Sequence, residues 1–142
     1  MTPRRHAFTL IELLVVVVII GVLASVVGPR LFGKTDQAKV SAARQQIDAF
    51  VLALENFQLD NGHYPSTEQG LKALVEKPTG RPEARNWRGP YLKKRELPQD
   101  PWGNPYAYRS PGTVNKEEFD LLSLGKDGRE GGEGDAKDLT NY

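Results

Sequence analysis

Twenty residues near the start of the chain, Phe8 to Val27, carry a single charge, Glu12. They read Phe-Thr-Leu-Ile-Glu-Leu-Leu and then Val-Val-Val-Val-Ile-Ile-Gly-Val-Leu-Ala-Ser-Val-Val. At about 1.5 Å per residue, a helix of this length covers roughly 30 Å, the thickness of a bilayer's hydrocarbon core. A seven-residue basic leader, Met1 to Ala7, precedes it and polar sequence follows it, so the chain reads as a membrane helix carrying a soluble head. A secretory signal peptide also starts basic, but its apolar core is shorter and ends at a small-x-small cleavage site. Here Ala24-Ser25 runs on into more Val. A plain signal-anchor helix is the simpler alternative, and Glu12 argues against it. A carboxylate in hydrocarbon costs about 2.5–3.5 kcal/mol on insertion scales and marks function by default. It needs a cation. Cutting between Ala7 and Phe8 would supply one, because the new α-amino group of Phe8 would lie one helical turn from Glu12. That amine could pair with Glu12 of the same chain or of a neighbour, and a buried pair of this kind sets register more than it adds stability.

At 142 residues the chain fits one soluble domain plus its anchor. The 19 basic and 18 acidic residues become 17 and 18 once Arg4 and Arg5 leave with the leader, a net −1 that gives no support for nucleic-acid binding. There is no cysteine, so the head must be held by its core, by oligomerisation or by a metal. Arg4 and Arg5 favour a cytoplasmic leader with the head outside, although Arg30 and Lys34 weaken the asymmetry.

Gly28-Pro29 predicts a kink, or a stop, just beyond the apolar run. From Lys34 to Asp60, Val40, Ala43, Ile47, Phe50, Leu54 and Phe57 recur in steps of three and four. That is one helical stripe, read as the face on which the head packs. Asn61-Gly62 ends it. Ser66 and Gln69 form a capping-box pattern before a short helix of about ten residues carrying Leu71, Leu74 and Val75 and ended by Pro78 and Gly80. Thr79 to Pro90 reads as a polar loop pinned by Trp87 and Tyr91, with another helical turn at Tyr91 to Lys94. Asp100-Pro-Trp-Gly-Asn-Pro105 is turn chemistry. Two strands are expected, Pro105 to Arg109 and the better-buried Phe119 to Leu124, joined through Pro111-Gly112.

Arg4-Arg5-His6-Ala7 followed by Phe8-Thr-Leu-Ile-Glu12 resembles the leader and processing site of type IV pilins and pseudopilins. The resemblance implies cleavage before Phe8 by a prepilin peptidase, N-methylation of Phe8, and guidance of filament assembly by Glu12. Ala7 stands where the family usually has Gly. Further motifs are similar to the major pseudopilins of type II secretion systems, the general secretion pathway protein G family. They are Tyr64-Pro-Ser-Thr-Glu-Gln-Gly, Lys77-Pro-Thr-Gly, Tyr91-Leu-Lys-Lys, Asp100-Pro-Trp-Gly-Asn-Pro-Tyr and Phe119-Asp-Leu-Leu-Ser-Leu-Gly-Lys-Asp-Gly. In order, they cover nearly the whole chain. The resemblance implies an α+β, type IV pilin-like fold. A long N-terminal helix, half transmembrane and half amphipathic, would pack on a small antiparallel sheet with a C-terminal calcium loop. The expected division is leader 1–7, transmembrane helix 8–27, amphipathic continuation 28–60 and periplasmic head 61–142.

The last segment, from Gly125 to Tyr142, mixes acidic residues with many glycines. Glycine permits tight turns and carboxylates supply hard oxygens, a combination suited to calcium with its six to eight oxygen ligands. The spacing is not that of an EF-hand. On composition alone, a solvated flexible tail stands beside the metal reading. The resemblance implies calcium here, held by Asp127, by the backbone carbonyl of Leu124, and by Asp135 or, second, Asp138.

An enzyme is not expected. There is no thiol, His6 lies in the leader, His63 stands beside a turn, and neither a phosphate loop nor zinc-ligand spacing is present. By resemblance, the subunit is held in the inner membrane and forms a homopolymer. Its implied partners are minor pseudopilins, the prepilin peptidase, an inner-membrane assembly platform and membrane lipid, with no nucleic acid. The growing pseudopilus would push folded proteins through the outer membrane. The alternatives are a type IV pilin for adhesion or motility and a membrane-tethered periplasmic hydrolase.

Overall fold

A computed structural model describes residues 9–142, apart from the side chains of residues 27–34 and of Asp135. The expected cleavage pair, Ala7 and Phe8, lies outside the described residues. Helix α1 spans Leu10–Asn61, and three strands follow: β1 Ala107–Arg109, β2 Asp120–Ser123 and β3 Leu139–Thr140. Two short 3₁₀ helices, Leu71–Leu74 and Gly134–Ala136, lie between them. The chain divides into two compact units, one reaching to Gln37 and the other spanning Ala38–Tyr142.

In the first unit the helix begins at Thr9. The amide of Glu12 donates to the Thr9 carbonyl at 3.1 Å and to the Thr9 hydroxyl at 3.3 Å, which makes Thr9 the N-cap. Every large apolar side chain described from Leu10 to Val26 is exposed, from 45% at Val16 to 89% at Leu10. The Ser25 hydroxyl turns back on the helix and donates to the Val22 carbonyl at 2.8 Å, so it presents no unmatched donor to apolar surroundings. Among the described residues no helix is long and apolar enough to cross a membrane. The expected span, Phe8 to Val27, begins outside the described residues at Phe8 and ends at Val27, whose side chain is not described. Helix α1 is continuous through Gly28-Pro29, so that pair does not end it.

The second unit is built on the expected stripe. Ala43, Ile47, Phe50, Leu54 and Phe57 are buried, with Val40 packed at the margin and Ala53 added beside them. α1 ends at Asn61, where Gly62 takes a φ of 80° that other residues rarely adopt. Against the stripe pack Leu71, Leu74, Tyr106, Phe119, Leu121 and Leu139. Phe50 meets Tyr106 edge-on at 5.1 Å, and Phe119 meets Tyr64 in the same way at 4.9 Å. The sheet is antiparallel in the order β1-β2-β3, with Tyr108 opposite Leu121 and Ser123 opposite Leu139. The two expected strands are present but shorter than expected.

Two local expectations are corrected. The capping box forms in both directions: the Ser66 amide donates to Gln69 Oε1 at 3.0 Å and the Gln69 amide to Ser66 Oγ at 3.3 Å. The ten-residue helix it should open is only a turn followed by the four-residue 3₁₀ helix, because Gly70 at φ 58° interrupts the helical backbone. Tyr91 to Lys94 forms bends rather than a helical turn. Here the Tyr91 amide donates to the Leu74 carbonyl at 2.7 Å and its ring packs on Phe57, which ties this segment to the body instead of to itself. Finally, β3 lies within the segment that composition left between a metal loop and a solvated tail.

The pinning roles of Trp87 and Tyr91 are borne out. Trp87 Nε1 donates to the Ala73 carbonyl at 2.8 Å, and the Tyr91 hydroxyl donates to Asp60 Oδ2 at 2.8 Å.

Candidate functional site

Two regions carry the residues singled out from the sequence. The first is the start of α1. Glu12 is exposed in its first turn, four residues after Phe8 in the sequence, where a carboxylate also complements the positive end of the helix dipole. Thr9 is the residue that sequence reasoning missed. Thr9-Leu-Ile-Glu12 has the Thr-x-x-Glu spacing of a capping box, so the signal was present. The capping hydroxyl anchors the turn that carries Glu12.

The second region is the acidic loop between β2 and β3. Its entry is held by a buried network. Asp100, 4% exposed, accepts from the amides of Trp102 at 3.0 Å and Asn104 at 2.8 Å through Oδ1. Its Oδ2 accepts the Ser123 hydroxyl at 2.6 Å. Ser123 Oγ in turn accepts the Gly125 amide at 3.3 Å, and Asn104 Nδ2 donates to the Gly125 carbonyl at 2.8 Å. The exit is held by β3 and by Asn141, whose amide and side chain exchange hydrogen bonds with Leu121 and whose Nδ2 reaches the Phe119 carbonyl. The tail is therefore fastened at both ends.

Between these anchors the backbone closes tightly on itself. A β-carbon on Gly125 would sit 3.2 Å from the Lys137 carbonyl oxygen and 3.3 Å from that of Ala136. One on Gly132 would collide with the Ala136 carbonyl. The loop thus brings the residues around Gly125 against those just before Asp138.

Asp127 is exposed, and its Oδ1 accepts the Arg129 amide at 3.2 Å within its own turn. Asp138 accepts the Gly131 amide at 2.8 Å through Oδ2, while its Oδ1 is buried with no hydrogen-bond partner. A buried carboxylate oxygen without a partner is costly unless something else satisfies it. That is the feature a hard cation would complete. The Leu124 carbonyl and the Asp127 carboxylate lie on the entry side of the loop, and the Asp135 side chain lies outside the described residues. Among the described residues no group of three or more acidic or histidine side chains could hold a metal. Asp127, Asp138 and the Leu124 carbonyl are oxygen donors of the kinds calcium combines, and the unpartnered Asp138 Oδ1 is the one feature here that suits a cation.

Asp120, 3% exposed in β2, is with Asp100 one of two buried aspartates among the described residues. It accepts from the amides of Thr113, Val114 and Asn115 and from the Thr113 hydroxyl. Burial acts to raise its pKa, but the hydrogen bonds from Asn115, Val114 and Thr113 outweigh burial and hold it down at about 2. Gly112 makes room for this arrangement, since a β-carbon there would lie 2.5 Å from Asp120 Oδ1. The network shapes the β1–β2 connection and is structural.

Comparison with known proteins gives consistent results. Residues 30–142 match the family described as "Type II secretion system (T2SS), protein G", and residues 2–28 match the "Prokaryotic N-terminal methylation motif". The type II secretion system core protein G of Pseudomonas aeruginosa is 54% identical over 140 residues, covering 98% of this chain and 96% of that one. The protein of the same name from Escherichia coli K12 is 47% identical over 142 residues, covering 99% and 93%. Among solved structures, the major pseudopilin from the type 2 secretion system of enterohaemorrhagic Escherichia coli matches with a TM-score of 0.66 and 41% identity. That match covers 80% of this chain and 94% of that one.

Proposed function

Because the chain belongs to the type II secretion system protein G family, we propose that it is the major structural subunit of a pseudopilus, polymerising through α1 to drive export of folded proteins across the outer membrane. One observation carries this reading: thirteen large apolar side chains between Leu10 and Val26 are exposed on all faces of one helix. At roughly 1.5–3 kcal/mol per buried side chain, covering them is worth on the order of 20 kcal/mol or more. A surface of that kind is stable in lipid or against other helices like itself, not in water.

The subunit then has two homes. In the inner membrane the helix lies in lipid with the head in the periplasm. After a prepilin peptidase removes residues 1–7 and Phe8 is N-methylated, an assembly platform moves the helix from lipid into the core of a homopolymer. Minor pseudopilins accompany the filament. Leaving the bilayer is tolerable because the filament core is equally apolar. Glu12 meets the amine of a neighbouring Phe8 and sets the axial step, and Thr9 anchors the turn that presents it. The heads form the outer surface.

Calcium, when bound, supplies positive charge and oxygen coordination that order the acidic loop. Asp127, Asp138 and the Leu124 carbonyl would hold it. The orphaned Asp138 Oδ1 favours Asp138 as the second carboxylate, where sequence reasoning put Asp135 first. The hydrolase alternative has little physical support: Ser123 and Asp100 do pair, but at 0% and 4% exposure no substrate reaches them.

The test is assembly. Overproduced wild-type chain should appear in a sheared filament fraction, whereas Glu12→Ala should be processed at its leader yet stay in the membrane fraction. Filaments formed equally well by Glu12→Ala would overturn the register role.

A further inference from the structure

We propose that Ser123 and Asp100, with Asn104, are positioning residues for the metal loop, because together they orient the peptide unit that carries the Leu124 carbonyl. This rests on the calcium reading above. The Leu124 carbonyl and the Gly125 amide belong to one planar trans peptide, in which C=O and N–H point in opposite directions. Holding the amide therefore aims the carbonyl.

The amide is held by Ser123 Oγ at 3.3 Å, and Ser123 has no freedom to turn, because its own proton is committed to Asp100 Oδ2 at 2.6 Å. Asp100 is locked in its turn by the Trp102 and Asn104 amides on Oδ1 and by its own backbone amide donating to the Asn104 carbonyl at 2.8 Å. The next peptide unit is fixed from the same side, since Asn104 Nδ2 holds the Gly125 carbonyl at 2.8 Å. Asn104 also closes on the far end of the turn: a β-carbon on Gly128 would lie 3.2 Å from Asn104 Oδ1. Gly125 at φ 62° and Gly128 at φ 65° allow the chain to follow this path just before and after Asp127.

The consequence is specific. With the Gly125 amide fixed on Ser123, the Leu124 oxygen points away from the buried Asp100–Ser123 pair. Asp100 and Ser123 contact no metal themselves. They act through the backbone, as groups behind a metal site orient its ligands, and losing such a group typically costs 10- to 100-fold in affinity.

The test uses the full-length chain in detergent micelles, with calcium affinity measured by titration calorimetry and coordinated water counted from Tb³⁺ luminescence lifetimes in H₂O and D₂O. Ser123→Ala should weaken calcium binding by at least about ten-fold. It should also add about one water to bound Tb³⁺, because a misdirected carbonyl is replaced by solvent. Ser123→Thr, which keeps the hydroxyl, should restore the wild-type water count. If Ser123→Ala does not fold, the half-buried Asn104→Ala carries the test, with the same directions expected. Wild-type binding with an unchanged water count in the folded variant, whatever its stability, would overturn the positioning role and leave the calcium reading standing. Wild-type chain that binds neither ion would overturn the calcium reading and the positioning role together.

Discussion

The hydroxyl of Ser123 donates to the carboxylate of Asp100 at 2.6 Å, and both side chains are buried. The pair joins the Asp-Pro-Trp-Gly-Asn turn to the end of β2, 23 residues apart in sequence. It explains how a head without cysteine keeps a glycine-rich segment in place: the segment is fastened at its entry by this pair and Asn104, and at its exit by β3 and Asn141.

Calcium should stabilise the folded chain by binding it and not the unfolded one. At a hundred-fold excess over Kd the gain is about 2.7 kcal/mol, seen as a higher thermal midpoint that chelator reverses. Asp127→Ala should abolish the gain. Asp138→Ala should abolish it too, while Asp135→Ala should reduce it less. A thermal midpoint indifferent to millimolar calcium would remove the metal from the account.

Asp120→Ala should destabilise the head by about 2–4 kcal/mol, because the amides of Thr113, Val114 and Asn115 lose their shared acceptor. The pH dependence has a defined sign. The folded pKa of about 2 lies below the ordinary aspartate value of 3.8, so this carboxylate contributes stability that is complete above pH 4 and lost as pH falls through about 2. Chemical denaturation between pH 2 and 6 should show a smaller acid loss in Asp120→Ala than in the parent.

Tyr91→Phe should cost about 1–2 kcal/mol while leaving the ring against Phe57 and Trp87. The lost hydroxyl donates to Asp60 Oδ2 and accepts the Arg88 amide. Hydrogen exchange should rise in the loop around Arg88 more than in the sheet. Uniform exchange changes would contradict the pinning role.

Thr9→Ala should loosen the first turn of α1 by about 1 kcal/mol, and Thr9→Ser should not. In micelles the Glu12 amide, which donates to Thr9 at 3.3 Å, should exchange about five-fold faster in the alanine variant. An unchanged rate would remove Thr9 from the account of how Glu12 is presented.

The parts of the fold that were legible were those written as periodicity. The Val40 to Phe57 stripe lies where a 3.6-residue repeat puts it, and the Ser66–Gln69 box was readable because both partners lie within one turn. The illegible parts depend on distant partners. β3 is two residues long and has one buried apolar side chain, Leu139, so it carries no pattern of its own and exists only because β2 offers an edge. Asp120 sits in an apolar strand where alternation assigns no carboxylate to the interior, and its solvation comes from amides of a turn whose path the sequence does not state. At the acidic loop, the proposed ligands Asp127 and Leu124 follow from a motif, while the preference for Asp138 over Asp135 rests on the unpartnered Asp138 Oδ1, which only the folded loop reveals.

The most direct test of the central claim is deletion of this chain in its own host, with export of folded proteins and surface fibres followed together. A pseudopilus subunit predicts that export is lost, that the parent strain carries no long surface fibre at native expression, and that wild-type chain restores export while Glu12→Ala does not. Intact export together with loss of a surface pilus would contradict the account and assign the chain to adhesion or motility instead.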